Sequence, residues 1–326
     1  MYKLIDKFDR TIDYLRISVT DRCNLRCIYC MPSCGIISKP HEDLLSFEEI
    51  TRVVRAAARL GIDKIRLTGG EPLVRKGLVG LVRSLNKIDG IKDISMTTNG
   101  VLLKEYASEL KEAGLKRVNV SLDSLKEDRY RAITRHGLLE DVLDGINESL
   151  KVGFSPVKIN ALLLDDVDDN EIGRFLRLTI ENEISVRFLE FMPVNSFYRP
   201  TNFVSSKAVM DAAKRFDIVE ETEVLGEGPA KVYKFKNALG TFGLISPMSD
   251  KFCASCNRLR LTSDGFLKPC LHSNMKVDLR TFLRSGRGMD EIVKLIKLAA
   301  DIKSKEHYLD RDRPKDPEFS MCQIGG

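Results

Sequence analysis

An alternation of short strand-like runs with longer helical patterns constrains the fold of this chain more than any other feature. Between residues 14 and 192, runs rich in β-branched residues recur six times, separated by stretches with helical periodicity. The predicted strands are residues 14–20, 64–69, 93–99, 117–122, 157–164 and 185–192. Because helical crossovers join parallel strands, the alternation predicts an α/β fold with a parallel sheet.

The number of these units selects between the α/β architectures. Six units are two short of a closed eight-fold barrel, so we predict an incomplete (β/α)6 barrel, similar to a TIM barrel but open on one side. A doubly wound open sheet is the alternative. Both place ligands at the carboxyl ends of the strands, and unusual residues cluster there: Cys23, Gly70, Thr97, Ser121 and Met192.

The pattern changes after residue 193. Strand-like runs and helices continue, but without regular alternation: a helix near 205–215, strand-like runs at 218–224, 231–237 and 241–246, and helices near 275–285 and 288–303. We therefore expect residues 1–193 to form the partial barrel. Residues 194–326 are expected to form a smaller C-terminal region that covers its open side.

Composition limits the location and the partners of the protein. The chain has no apolar run approaching a membrane span and no signal-peptide core at its N-terminus, which predicts a cytoplasmic protein. A net charge of +5 suits an anionic substrate but lacks the clustered basic face of nucleic-acid binders. In a reducing compartment the eight cysteines indicate metal binding or catalysis rather than disulfides.

Six of these cysteines form two groups of three. Cys23, Cys27 and Cys30 have the spacing C-x3-C-x2-C, and the second group is C-x2-C-x13-C at residues 253, 256 and 270. A [4Fe–4S] cluster normally takes four thiolates, so each group leaves one iron open to a small molecule. Zinc is the alternative at both sites, completed by Cys34 at the first or His272 at the second.

Two further motifs accompany the cysteines. The sequence TGGEP at residues 68–72 follows a predicted strand, and its glycines allow close approach of the backbone to a ligand. In NRLR, Arg258 and Arg260 occupy alternate positions of an extended segment and so share one face. Guanidinium groups on one face are good partners for phosphates and nucleobase edges.

The first cysteine motif, with Tyr29 before its last cysteine, resembles the radical S-adenosylmethionine (SAM) superfamily. Over nearly the whole chain the sequence further resembles the GTP 3′,8-cyclase family, which opens molybdenum cofactor biosynthesis. The matching segments are LRISVTDRCNLRCIYCMP, KIRLTGGEPLVRK, TTNG, VNVSLDS, VKIN, RFLEFMP, FCASCNRLRLTSDGFLKPCL and the terminal Gly-Gly.

The resemblance implies a role for each matching residue. It implies one [4Fe–4S] cluster on Cys23, Cys27 and Cys30 and a second on Cys253, Cys256 and Cys270, with SAM as cofactor. SAM would lie against Tyr29, Gly70, Ser121 and Met192. GTP would contact Arg16, Arg66, Thr97, Lys158, Arg258 and Arg260, and the tail Gly325–Gly326 would reach the active site. Cys34 and Cys322 fit neither group, and the family pattern leaves His272 without a metal.

The implied reaction is the cyclisation of GTP to (8S)-3′,8-cyclo-7,8-dihydroguanosine 5′-triphosphate, begun when a 5′-deoxyadenosyl radical removes the C3′ hydrogen. The implied partners are GTP, an external electron donor and, as pathway neighbour, the downstream cyclic pyranopterin monophosphate synthase, with a homodimer as one assembly. Two alternatives stay open: an auxiliary-cluster radical SAM enzyme that acts on a peptide or tRNA, and a non-catalytic zinc or iron–sulfur protein that binds RNA.

Overall fold

One twelve-stranded sheet organises the part of the chain that the computed structural model describes, residues 2–165, 167–194, 197–216, 219–222, 228–309 and 321–324. The strands are β1 (Tyr14–Ser18), β2 (Lys64–Thr68), β3 (Asp93–Thr98), β4 (Arg117–Ser121), β5 (Val157–Leu163), β6 (Ile184–Glu190), β7 (Val219–Thr222), β8 (Lys231–Phe235), β9 (Thr241–Ile245), β10 (Arg258–Leu261), β11 (Phe266–Lys268) and β12 (Val277–Asp278).

The strand order is β12-β11-β10-β1-β2-β3-β4-β5-β6-β9-β8-β7. The six predicted strands β1 to β6 are parallel neighbours, as the alternation of the sequence predicts. The C-terminal region adds β10 parallel to β1 on one side and β9 parallel to β6 on the other. Within the described residues no pairing joins the two ends of this row, so the predicted α/β partial barrel is confirmed as an open one.

The helices are α1 (Phe47–Arg59), α2 (Leu78–Asn86), α3 (Leu103–Glu112), α4 (Glu127–Thr134), α5 (Leu139–Lys151), α6 (Asp169–Glu181), α7 (Ser206–Ala213), α8 (Arg280–Arg284), α9 (Met289–Asp301) and α10 (Met321–Ile324). The first begins at a capping box in which Ser46 and Glu49 each bond the other's backbone N–H. The predicted helix at 275–285 is wrong at its start, because residues 277–278 pair with β11 as a strand. No described helix is long and apolar enough to cross a membrane.

The two faces of the parallel strands differ sharply in chemistry. Residues such as Ile17, Leu67, Met96 and Val120 point outward into the main hydrophobic core, which the helices cover. The alternate residues face the inside of the partial barrel, and many of these are polar or charged although buried. A barrel interior is ordinarily filled by branched apolar side chains, so this polar lining marks the inside as a ligand site.

Candidate functional site

The first cysteine group lies on the long loop that follows β1. Cys23, Cys27 and Cys30 are partly buried free thiols. The loop turns tightly between the last two, where the N–H groups of Cys30 and Met31 donate to the carbonyl of Cys27 at 2.9 and 3.2 Å. Burial raises the pKa of Cys23 to about 11. The hydrogen bond with Cys322, burial and the charges of neighbouring thiols raise the pKa of Cys30 well above its ordinary value. The three cysteines therefore lie on one compact loop.

The glycines of the TGGEP segment pack against this loop. The N–H of Gly70 donates to the carbonyl of Thr20 at 2.7 Å, and a Cβ at Gly70 would lie 2.2 Å from the carbonyl oxygen of Arg22. The glycine is thus required by close approach to the cysteine loop itself, whereas the sequence suggested approach to a ligand. The neighbouring Glu71 carboxylate accepts from Thr98 and Asn99 and so ties this turn to the end of β3.

Tyr29 connects the cysteine loop to the barrel interior. Its hydroxyl donates to Asp123 Oδ2 at 2.6 Å, while Asp123 Oδ1 accepts from the N–H of Leu162 at 2.9 Å. Burial raises the pKa of Asp123, and the hydrogen bonds from Tyr29 and Leu162 oppose that shift. Tyr29, Ser121 and Met192 line the same cavity, whereas Gly70 does not line it.

Three arginines stand at one level of the sheet. Arg260 on β10, Arg16 on β1 and Arg66 on β2 are register partners on adjacent strands, about 5 Å apart in the pairing direction. All three are buried, and like charges placed directly opposite one another destabilise a sheet. Burial, followed by the charges of Arg260 and Arg66, lowers the pKa of Arg16 well below its ordinary value. Such a row suits a ligand with several negative charges.

Several polar groups that line the same cavity have no hydrogen-bond partner in the described part of the chain and are therefore available to a ligand. The side-chain amide of Asn119 and the hydroxyl of Thr97 are buried without a hydrogen-bond partner among the described residues. The same holds for Nε of Arg187 and Oδ1 of Asn160. A buried polar group without a partner costs stability, so these atoms indicate a bound molecule with both donors and acceptors.

Arg187, Asn119 and Asn160 were missed by the sequence reasoning. The available signal was a polar side chain at alternate positions of an otherwise apolar strand, as in VNVS and SVRF. Lys158 was predicted, but it does not line the cavity. It is buried on the inward face of β5, where burial and the charges of Arg187, Arg117 and Arg66 lower its pKa to about 6.

The second cysteine group also lines the cavity. Cys253 begins a short 3-10 turn (Cys253–Ser255) before β10, Cys256 directly follows this turn, and Cys270 follows β11. The buried Lys303 joins these segments, because its Nζ donates to the carbonyls of Arg258 and Pro269 at 2.9 and 2.7 Å. Burial alone would raise the pKa of Cys256, but the charges of Arg258 and Lys303 hold it at about 6. The site therefore favours a thiolate.

Arg10 holds this cysteine loop to the N-terminal segment. Arg10 forms a buried ion pair with Asp6 at 2.6 Å and donates to the carbonyls of Cys253, Ser304 and Lys305. The loop is thus fixed from two sides, by Lys303 and by Arg10.

Arg258 and Arg260 both face the cavity, in agreement with their predicted shared face.

The remaining candidates are placed as follows. His272 lines the cavity beside His307, with ring centroids 5.3 Å apart, and burial lowers the pKa of His272 to about 3. Cys34 is exposed, whereas Cys322 is buried and hydrogen-bonded to Cys30. Gly325 and Gly326 lie outside the described residues. Among those described, no three His, Cys, Asp or Glu side chains converge as a site for a single metal ion.

Many of the residues described above line one cavity of about 740 Å³. Its lining includes Tyr29 and Asp123 near the first cysteine group, and Cys253, Cys256 and Cys270 of the second. Five arginines also line it: Arg16, Arg66, Arg187, Arg258 and Arg260. The volume fits one or two small molecules, and the arginines suit a polyanion bound beside the thiols of the second group.

Two family models match successive parts of the chain. Residues 17–179 match the radical SAM superfamily, and residues 184–309 match Molybdenum Cofactor Synthesis C. The second match includes the second cysteine group.

Relatives of similar length share about half of the sequence. The GTP 3′,8-cyclase of Alkaliphilus oremlandii is 48% identical over 98% of this chain and 99% of its own. That of Peptoclostridium acidaminophilum is 49% identical over 99% and 98%. That of Pelotomaculum thermopropionicum is 50% identical over 98% and 99%.

Solved structures with the same fold are more distant in sequence. Streptococcus suis SuiB bound to S-adenosylmethionine superposes with a TM-score of 0.63 over 93% of this chain and 78% of that one, at 17% identity. SuiB bound to its precursor peptide SuiA gives 0.61 over 93% and 76%, at 18% identity. At this identity the likeness concerns the fold alone.

Proposed function

The chain belongs to the GTP 3′,8-cyclase family of radical SAM enzymes, and from that premise we propose how its own residues divide the work. The family reaction is the first step of molybdenum cofactor biosynthesis, and the superfamily implies one [4Fe–4S] cluster and SAM. We assign GTP to the arginine-lined cavity. The observation that carries this assignment is the register row Arg260–Arg16–Arg66, three buried guanidinium groups on adjacent strands that together suit a ligand with several negative charges.

The residues after β1 fit the first cluster. Cys23, Cys27 and Cys30 are free thiols on one compact loop, and Asn99 Nδ2 lies 3.9 Å from Cys23 Sγ, as a hydrogen-bond donor to a ligating sulfur. When bound, the cluster and SAM supply the 5′-deoxyadenosyl radical. Asp123 holds Tyr29 by a charge-assisted hydrogen bond and so keeps the loop against the cavity wall.

GTP is bound, in this proposal, through contacts on several strands. The arginine row takes the triphosphate, and Arg187 adds a fourth guanidinium whose Nε has no partner in the described part of the chain. Asn119, Thr97 and Asn160 offer donors and acceptors to the sugar and base. Because these groups project from strands rather than loops, they hold the substrate in a fixed orientation.

A second [4Fe–4S] cluster on Cys253, Cys256 and Cys270 is part of the proposal. Its support is that all three face the cavity beside Arg258, while Lys303 holds their two segments together. Its open iron would meet the guanine. Met321 lines the cavity, while the role of the terminal Gly325–Gly326, which lie outside the described residues, stays a prediction from the family resemblance.

We keep the division into residues 1–193 and 194–326 as part of the same proposal. It is supported by the position of strands β1 to β6 before the boundary and of the second cysteine group after it. The cluster chemistry also requires an external electron donor.

Substitution of Arg187 tests the cavity assignment. Loss of a charge-assisted contact costs about 1.5–3 kcal/mol, so Arg187→Gln is expected to weaken GTP binding about 10- to 100-fold while SAM binding is kept. The matched control is Arg215→Gln, since Arg215 is exposed and pairs with Asp169 on the surface. Equal GTP affinity in both variants would contradict the assignment.

Metal analysis tests the cofactors. Anaerobically purified protein is expected to contain iron and acid-labile sulfide in amounts that fit two four-iron clusters. Iron for one cluster only would contradict the second site, and zinc without sulfide would contradict both.

A further inference from the structure

One histidine of the cavity takes part in neither cysteine group nor in the arginine row. His272 lies two residues after Cys270 and lines the cavity together with the thiols of the second group. Its Nδ1 is buried, and no described residue offers it a hydrogen-bond partner. Its Nε2 also has no partner within the described ranges, but this atom is accessible, since the ring as a whole is only partly buried. One side of the imidazole is thus closed in, and the other is open.

Contacts on both sides hold His272 in place. Before it in the chain, Lys303 Nζ donates to the carbonyl of Pro269 at 2.7 Å and so fixes the segment that carries Cys270. Beside it, the ring of His307 packs edge to face, with ring centroids 5.3 Å apart and an interplanar angle of 65°. The position of the imidazole is therefore defined by the fold of the protein itself.

The two histidines differ in their hydrogen bonds. His307 uses both ring nitrogens: Nε2 lies 3.1 Å from the carbonyl oxygen of Pro247, and Nδ1 accepts from the N–H of Leu309 at 3.4 Å. Because a carbonyl only accepts, the proton of His307 is on Nε2. His307 is thus satisfied within the protein and supports the neighbouring ring, whereas the open side of His272 is available to a ligand.

The surroundings of His272 also select its tautomer. A neutral imidazole, the ordinary form at pH 8, carries one N–H and one lone pair. A buried N–H without an acceptor is costly, and orphaned buried N–H groups are rarer than acceptors without a donor. The closed-in Nδ1 therefore carries the lone pair, and the proton is on Nε2. His272 presents one N–H donor on the accessible side of its ring.

We propose that His272 donates from Nε2 to O6 of the guanine and is a specificity-determining residue of the GTP site. This inference rests on the proposed function, which places the guanine at the second cysteine group. Guanine has an acceptor, O6, where adenine has an amino group, which is a donor. With adenine two N–H donors would oppose each other without an acceptor, and such unpaired polar groups give strong discrimination.

The reaction itself selects O6 rather than N7. Ring closure joins C3′ of the ribose to C8, so C8 and the adjacent N7 must be turned to the sugar of the same molecule. The edge that remains for the second cysteine group belongs to the six-membered ring, which carries O6. An N–H donor on this side of the cavity therefore meets O6, while the arginine row takes the phosphates.

Three substitutions of His272 are compared in the full chain with both clusters rebuilt anaerobically. His272→Phe keeps a planar ring without the N–H. His272→Gln restores an N–H near the position of Nε2, and His272→Asn, one methylene shorter, does not reach it. His41→Phe is the matched control, since His41 is exposed. Iron content is measured for every variant.

The nucleotides are chosen to differ in single functional groups. Inosine triphosphate lacks the 2-amino group but keeps O6, and 7-deaza-GTP lacks N7 but keeps O6. 2-Aminopurine riboside triphosphate lacks O6 and the N1 proton but keeps the amino group. Their dissociation constants at pH 8 are measured by equilibrium dialysis without SAM.

Loss of one neutral hydrogen bond predicts the size of the effect. We expect His272→Phe and His272→Asn to weaken the binding of GTP, inosine triphosphate and 7-deaza-GTP about three- to tenfold. Binding of 2-aminopurine riboside triphosphate should stay unchanged, and the preference for GTP over ATP should fall. His272→Gln should restore most of the GTP affinity, and His41→Phe should behave as the wild type. A purely structural role of His272 would weaken all four nucleotides alike.

The results that overturn the inference are distinguishable from failure of the proposed function. If wild type binds GTP but His272→Phe and His272→Asn change all four nucleotides equally, or none, the contact with O6 is wrong and the proposed function stands. If all three variants of His272 lose the iron of the second cluster, His272 supports the cluster rather than the base, and the inference is wrong. If wild type with rebuilt clusters does not bind GTP, the proposed function fails and the inference fails with it.

Discussion

The protonation state of Lys158 is expected to depend on whether GTP is bound. Burial and the charges of Arg187, Arg117 and Arg66 lower its pKa to about 6 in the free protein. A bound triphosphate would offset the positive charges around Lys158 and raise this pKa. We therefore expect GTP binding at pH 7.5 to take up about one proton from solvent.

The magnitude follows from the free-state pKa. With a pKa of about 6, about one Lys158 in eleven is charged at pH 7 and about one in a hundred at pH 8. If the complex contains charged Lys158, GTP affinity falls about tenfold per pH unit, or about 1.4 kcal/mol. The affinity for GTP is highest below pH 6, where Lys158 is already charged in the free protein. It declines as the pH rises and stops declining once the pH passes the pKa of Lys158 in the complex. The terminal phosphate, with a pKa of about 6, is already ionised above pH 7.

Isothermal titration calorimetry at pH 7 to 8.5, in two buffers of different ionisation enthalpy, measures both quantities. Lys158→Met should abolish the proton uptake and flatten the pH dependence. Lys104→Met, which removes an exposed lysine paired with Asp144, is the control and should keep both. The reasoning is refuted if wild type and Lys158→Met take up the same number of protons.

Two further substitutions separate the two sides of the cavity. Cys256→Ser should leave the spectral response of the first cluster to SAM intact while GTP cyclisation is lost, and loss of the first cluster instead would show that the division is wrong. Asp123→Asn removes the carboxylate that accepts from Tyr29 at 2.6 Å, so SAM affinity should fall about 10- to 100-fold with GTP affinity nearly unchanged. Equal losses for both ligands would instead indicate general unfolding of the wall.

The strands were predictable from the sequence because the pattern is local. Each of β1 to β6 begins within one residue of its predicted position, and the capping box at Ser46 correctly marks the start of α1. The places of β9 and β10 within the sheet were not predictable. Their pairing joins segments far apart in sequence, and nothing in a local pattern specifies that Arg258 lies in register with Tyr14.

The same distinction applies to the candidate site. Arg258 and Arg260 could be assigned to one face, since alternation in a strand is a local property. Arg187 has the same property between Val186 and Phe188, yet it was overlooked because its surroundings resemble an ordinary buried strand. The contact of Cys322 with Cys30 spans almost the whole chain, so only the folded structure brings these two thiols together.

The central claim is that this cavity presents C3′ of GTP to the radical generated beside the first cysteine group. The direct measurement is anaerobic turnover of GTP deuterated at C3′ with SAM and dithionite, using protein with both clusters rebuilt. The account predicts deuterium in the 5′-deoxyadenosine and a cyclised nucleotide as product, both observed by mass spectrometry. Formation of 5′-deoxyadenosine without deuterium, or without a cyclised nucleotide, would contradict it.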